Sequence, residues 1–139
     1  MKNQVYAVID TNVLVSALIA KDNDSYPLKV LKYAFDGRII PIYNKEILDE
    51  YRSVLQRAKF SLDRTDIEGA ISVLSRVGFE AIQVSLVAES FPDESDRKFY
   101  EVMQSRGDAF LITGNGKHFP NEPRVVTPRQ MVEILEGEK

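Results

Sequence analysis

The sequence predicts an α/β fold organised on a mainly parallel sheet. Short apolar runs alternate with amphipathic stretches of helical spacing along the chain, the pattern of parallel strands joined by crossover helices. The first apolar run, Val5-Tyr6-Ala7-Val8-Ile9, is unbroken, as suits a strand covered on both faces. It ends in a carboxylate, Asp10, and in open α/β sheets ligands sit beyond the carboxyl ends of the strands.

The elements follow in order. Asn12 to Ala20 reads as a short helix or helical loop, and Lys21-Asp22-Asn23-Asp24-Ser25 as a polar loop. Pro27 suits a first helical turn; Leu28, Leu31 and Phe35 recur at helical spacing, and Gly37 supplies a stop. Ile39-Ile40-Pro41-Ile42 is a short strand whose proline predicts an end or an edge. Asn44 is the expected N-cap of a helix running to about Arg57. Thr65-Asp66-Ile67-Glu68 has capping-box form and opens a helix carrying Ile67, Ile71 and Leu74, closed by Gly78. Phe79 to Val84 reads as a third strand. Ser95 is the expected cap of a helix bearing Phe99 and Met103, closed by Gly107. Ala109-Phe110-Leu111-Ile112 and Arg124-Val125-Val126 are the last strands, and Thr127-Pro128 opens a final helix through Leu135.

With 139 residues and no internal repeat or linker, the chain is expected to form one domain, residues 1–139. An apolar content of 44% argues against disorder. The absence of cysteine excludes disulfides, thiolate metal sites and a Cys nucleophile. No apolar run approaches the roughly 18 residues of a membrane span. Met1-Lys2-Asn3-Gln4 lacks the succession of a signal peptide, so the expected location is the cytoplasm, with no membrane partner. A net charge of −3 argues against a passive nucleic-acid coat. It is compatible with an enzyme whose acidic ligands await a cation.

Position selects which acids can accompany Asp10. In the helix after Asn44, Ile47, Tyr51, Val54 and Leu55 define the apolar face. At 100° per residue, Glu50 lies roughly 90° from its centre, Glu46 roughly 130° and Asp49 roughly 170°. Glu50 therefore borders the buried side and can look into a cleft, although a solvated flank paired with Arg57 or Lys45 satisfies the same geometry. In Phe91-Pro92-Asp93-Glu94-Ser95-Asp96, acids gather at a helix start, which the helix dipole alone would favour. Asp96, however, precedes Phe99, Tyr100 and Met103 at helical spacing. It faces the apolar side, where an unpaired carboxylate is costly, so a metal or basic partner would explain it. Asp93 and Glu94 are the weaker candidates. The polar turn after the fourth strand, Thr113-Gly114-Asn115-Gly116, offers oxygens at a second strand end and is also ordinary turn chemistry. His118, the sole histidine, reads as a packed or capping residue. Without a second histidine, an acid-and-amide set prefers a hard cation, Mg²⁺ or Mn²⁺, to zinc.

These stretches, in this order, resemble the PIN-domain family. Val8-Ile9-Asp10-Thr11-Asn12-Val13-Leu14 looks like its opening strand and first acid. Glu46-Ile47-Leu48-Asp49-Glu50-Tyr51, with Val54-Leu55 and Arg57, looks like its second-acid helix. Asp93 to Phe99 looks like its third-acid segment. Phe110 to Asn115 with Lys117-His118-Phe119 resembles its final motif, and Thr127-Pro128-Arg129 the start of its last helix. The resemblance covers nearly the whole chain and is close to the bacterial and archaeal branch of toxins of toxin–antitoxin systems. It implies a three-layer α/β/α sandwich, Asp10, Glu50 and Asp96 as catalytic and metal-binding acids, and metal-dependent hydrolysis of RNA. It also implies a cognate antitoxin and a homodimer as partners. Where the family often carries a fourth acid, this chain has Asn115, which can orient a water or ligate a cation without adding charge.

The chemistry is coherent with this set. A carboxylate-held divalent ion activates water and offsets developing negative charge. Asn12 and Thr113 are suited to fixing the acids from behind, with Asn115 beside them. Arg57, Lys59, Arg97 and Lys117 are candidate RNA phosphate contacts. A haloacid-dehalogenase-like phosphatase would need an acid where Asn12 stands, and a phospho-receiver would need its modified Asp on the third strand. The remaining alternative is a catalytically weak PIN-like module that binds RNA or a protein, which Asn115 favours.

Overall fold

A computed structural model describes residues 4–137; Met1–Asn3, part of the stretch read above against a signal peptide, and Glu138–Lys139 lie outside them. The opening apolar run is strand β1 (Val5–Ile9), whose Ala7, Val8 and Ile9 are buried. Helices α1 (Thr11–Ile19) and α2 (Tyr26–Phe35) follow, then β2 (Ile39–Tyr43), α3 (Lys45–Leu55) and α4 (Arg64–Val77). Strand β3 (Phe79–Glu80) precedes a stretch without regular structure. Then come α5 (Arg97–Gln104), β4 (Ala109–Ile112), β5 (Val125–Val126) and α6 (Pro128–Gly137).

All strand pairings are parallel, in the order β3-β2-β1-β4-β5. This is the α/β sandwich the alternation predicts. β1 is the central strand. The chain builds outward from it through β2 and β3 on one side and through β4 and β5 on the other. The order therefore reverses between β1 and β4, which opens a crevice at their carboxyl ends. The apolar core includes Ile9, Leu14, Ile42, Ile47, Leu55, Phe99, Met103 and Leu111, all at most 1% exposed.

Several local expectations change. Pro41 is neither at a strand end nor on the sheet edge, since β2 lies between β1 and β3. Tyr43 accepts a hydrogen bond from Ala81 N–H on the β3 side, and Pro41, two residues earlier, turns its backbone to the same side. β3 has not begun at that level, so no ladder bond requires the missing donor. Its place is taken by a close approach of Gly78, where a Cβ would stand 2.4 Å from Pro41 O and 2.5 Å from Leu74 O. Strand β3 does not reach Val84. After Tyr43 the neighbouring strand β2 gives way to α3, with Asn44 accepting from Ile47 N–H at 2.9 Å, so there is nothing left to pair with. Ile82 and Leu86 are accordingly 87% and 86% exposed.

Two caps also shift. Asp63, not Thr65, stands at the N-cap of α4; with the helix begun at Arg64, Glu68 lies beyond the first turn and pairs with Arg52 on α3 at 2.9 Å. Ser95 lies within a single 3₁₀ turn, Glu94–Asp96, and donates to its capping residue Asp93 through both backbone and hydroxyl. Thr127 behaves as expected: it accepts from Gln130 N–H at 3.1 Å while Gln130 accepts from Thr127 N–H at 2.8 Å, a reciprocal cap.

Candidate active site

Asp10 is the first residue beyond β1 and is held on both sides. Its N–H bonds Ile112 O at 2.9 Å, extending the β1–β4 ladder by one residue. Its side chain is turned inward, and the residue is only 5% exposed. Thr113, fully buried beyond β4, donates its hydroxyl to Asp10 Oδ2 at 2.7 Å. Asn12 Nδ2 donates to the same oxygen at 3.2 Å. Asn12 Oδ1 accepts from Gly114 N–H at 3.4 Å, and Asn115 N–H bonds Thr113 Oγ1 at 3.0 Å. The polar turn after β4 thus clamps the strand-end acid across the crevice. From below, Tyr51 donates to Ile9 O at 2.5 Å.

A cleft of about 540 Å³ opens above Asp10. Its walls include Asn12, Glu50, Arg57, Phe60, Asp93 and Asp96. The three acids singled out in the sequence therefore share one cavity. Glu50 comes from the flank of α3 predicted by helical phase. Its Oε2 accepts from Thr11 Oγ1 at 2.5 Å and its Oε1 pairs with Lys98 Nζ at 2.6 Å. Lys98, and neither Arg57 nor Lys45, is its partner; Lys45 pairs with Asp49 on the wet side of α3. Asp96 enters from the turn before α5, with Oδ2 3.7 Å from His118 Nδ1. His118 is thus turned toward the acidic cleft rather than packed away.

Burial pushes the Asp10 carboxyl up to about 6, against the bond from Thr113 and with the charges of Asp96 and Glu50 adding to the rise. Asp96 is raised for the same first reason, loss of solvent, with Asp93 next. Among the described residues no cationic side chain pairs with Asp10. A buried carboxylate facing two others without a counter-ion favours a hard cation, and the all-oxygen donors suit one. Among the described residues, no three Asp, Glu or His side chains already stand close enough to enclose an ion. Glu50 is ion-paired to Lys98, whereas Asp10 and Asp96, in the same cleft, are paired to no Lys or Arg among the described residues.

The basic candidates divide. Arg57 lines the cleft. Lys59 is exposed and lies against the Phe60 ring at 5.2 Å. Lys117 is exposed on the turn after β4. Arg97 is held within the fold by Glu94, Val87 O and Glu89 O, with its guanidinium 4.7 Å from the Phe91 ring centre. Lys98 and Thr11 are the contacts that sequence reading missed. Both lie inside motifs already recognised, but only tertiary packing brings either to Glu50.

A parallel α/β sandwich with acids around its switch-point crevice defines the class. The chain belongs to the PIN-domain family: the family model described as PIN domain matches residues 6–117. That span takes in Asp10, Glu50, Asp96 and Thr113. PIN domains are generally nucleases, and PIN-domain nucleases generally use divalent metal ions. No match was found among curated proteins. Among the described residues, no helix is long and apolar enough to cross a membrane.

Proposed function

We propose that this protein is an Mg²⁺- or Mn²⁺-dependent endoribonuclease and the toxin of a toxin–antitoxin pair, folded as one domain. The observation that carries the reading is Asp10: a buried carboxylate at the switch point, clamped by Thr113 and Asn12, without a cationic partner among the described residues and sharing its cleft with Asp96 and Glu50. Asp10 and Asp96 are the residues that would hold the divalent ion. When bound, such an ion supplies an activated water and offsets charge on the phosphate.

The side chains around it have distinct tasks. Thr113 and Asn12 fix the Asp10 carboxylate so that its free edge faces the cleft. Glu50, oriented by Thr11, accepts a proton from the attacking water or aligns it for in-line attack. Asn115 presents an uncharged amide beside the same crevice. Arg57 at the cleft wall, with Lys59 and Lys117 further out, contacts backbone phosphates of the RNA; Arg97 braces the segment that delivers Asp96. The expected partners are an RNA substrate, a second copy of the chain and an antitoxin protein, and the expected location is the cytoplasm.

The test is cleavage of single-stranded and structured RNA by purified protein with Mn²⁺ or Mg²⁺. Asp10→Asn should reduce the rate by at least about 10²-fold. Equal activity in the variant would trace the cleavage to a contaminant. A second reading, a catalytically weak PIN-like module that binds RNA or a protein, is favoured by the Lys98–Glu50 pair and the uncharged Asn115. RNA binding without cleavage under any divalent ion would select it.

A further inference from the structure

The cleft is asymmetric in charge. On one side Asp10 has no cationic neighbour in pairing range among the described residues. On the other, Lys98 Nζ sits 2.6 Å from Glu50 Oε1 and 2.5 Å from Ser95 O, and its side chain is only 17% exposed. Its stem runs over Phe99, with Nζ 5.2 Å from the ring centre. The ammonium also lowers the cost of charge on Asp96 and Asp93. This is no loose surface pair. Both partners are mostly covered, and each is held by a second contact, Thr11 for Glu50 and Ser95 for Lys98. Removing either partner would leave a poorly solvated charge.

We propose that Lys98 is a built-in second cation of the acid cleft, so that this chain takes one divalent ion, at Asp10 and Asp96, where Lys98 fills the position of another. The inference rests on the metal-dependent reading above. The charged side chains around the cleft are four carboxylates, Asp10, Glu50, Asp93 and Asp96, with the Lys98 ammonium and the Arg57 guanidinium, a net charge of −2 that one divalent ion neutralises. Asn115 fits this balance, because a further carboxylate there would leave one negative charge over. An ammonium has three hydrogens. Glu50 and Ser95 take two, and the third is left for a phosphate oxygen of the substrate, an interaction a second ion would otherwise provide.

Mn²⁺ titration followed by the paramagnetic resonance of the free ion counts the sites without any assay of activity. Wild type and Lys98→Arg should bind one ion per chain. Lys98→Met should bind two, the second within about tenfold of the first site's affinity, because Glu50 is then free to join Asp96. Lys98→Gln, which keeps a donor toward Glu50 without its charge, should also bind two and serves if the methionine variant fails to fold. Two comparable ions in wild type would overturn the role of Lys98 and leave the nuclease reading standing, and so would a single ion in both neutral variants. No Mn²⁺ bound by wild type would overturn the metal-dependent reading itself, and the role of Lys98 with it.

Discussion

Thr113 donates its hydroxyl to Asp10 Oδ2 at 2.7 Å, joining the ends of β4 and β1 at the point where the strand order reverses. The same hydroxyl oxygen accepts from Asn115 N–H, so the turn after β4 is shaped around the acid after β1. The bond holds the Asp10 carboxyl below where burial alone would put it. Thr113→Val keeps the volume and removes the donor. It should cost about 1–3 kcal/mol of stability and raise the Asp10 pKa above its present value near 6. Mn²⁺ affinity should fall about 10–100-fold. Urea melts and a carboxyl-carbon NMR titration measure the first two effects; an unmoved Asp10 titration would show that the hydroxyl does not govern the carboxyl.

The raised Asp10 pKa makes a stability prediction for the metal-free protein. Below about pH 3.8 the carboxyl is neutral in both folded and unfolded chains. Between 3.8 and about 6 it ionises in the unfolded chain first, so stability falls as pH rises through that window. Above it the penalty is constant, about 3 kcal/mol for a shift of this size. Asp10→Asn removes the penalty. With a chelator present, the variant should be more stable than wild type by about 1–3 kcal/mol at neutral pH, with no advantage at the acid end of the window. A variant less stable than wild type at neutral pH would show that the buried charge is better compensated than the geometry indicates.

Tyr51 is buried and its hydroxyl is bonded to Ile9 O, next to Asp10. Burial raises its pKa first, and the charges of Asp10 and Glu50 raise it further, so it acts as a neutral donor. Tyr51→Phe should destabilise the fold by about 1–2 kcal/mol, read from the urea midpoint at unchanged slope. An unaltered midpoint would mean that the carbonyl is satisfied without it.

Asn115 follows the buried Thr113, and its own side chain is at the exposed turn. If its lack of charge limits the site to one ion, Asn115→Asp should increase Mn²⁺ affinity or the cleavage rate. No change in either would make Asn115 a turn residue and nothing more.

What could be read from the sequence was what depends on local periodicity. The unbroken run before Asp10 requires a strand covered on both faces, and that strand proved central. Helical phase along α3 places Glu50 at the border of the buried face, and the cleft wall is where it lies. The spacing of Asp96 from Phe99 and Met103 has the same force. Long-range pairing was not legible. Nothing local to Lys98 distinguishes it from Arg97, yet one meets Glu50 across the cleft and the other braces its own loop. Pro41 misled because the rule about proline concerns a donor, and which neighbour that donor would face depends on where β3 begins. The box at Thr65 failed because the helix begins at Arg64, which puts Thr65 inside the first turn and leaves Glu68 to pair with Arg52 on α3.

The central claim, that Asp10 and Asp96 form an ion site at the sheet's switch point, is tested most directly by anomalous scattering from a crystal soaked in Mn²⁺. A single peak in contact with carboxylate oxygens of both Asp10 and Asp96, lost in Asp10→Asn, is the predicted result. A peak elsewhere in the cleft that persists in the variant, or none under conditions in which the protein cleaves RNA, would contradict it.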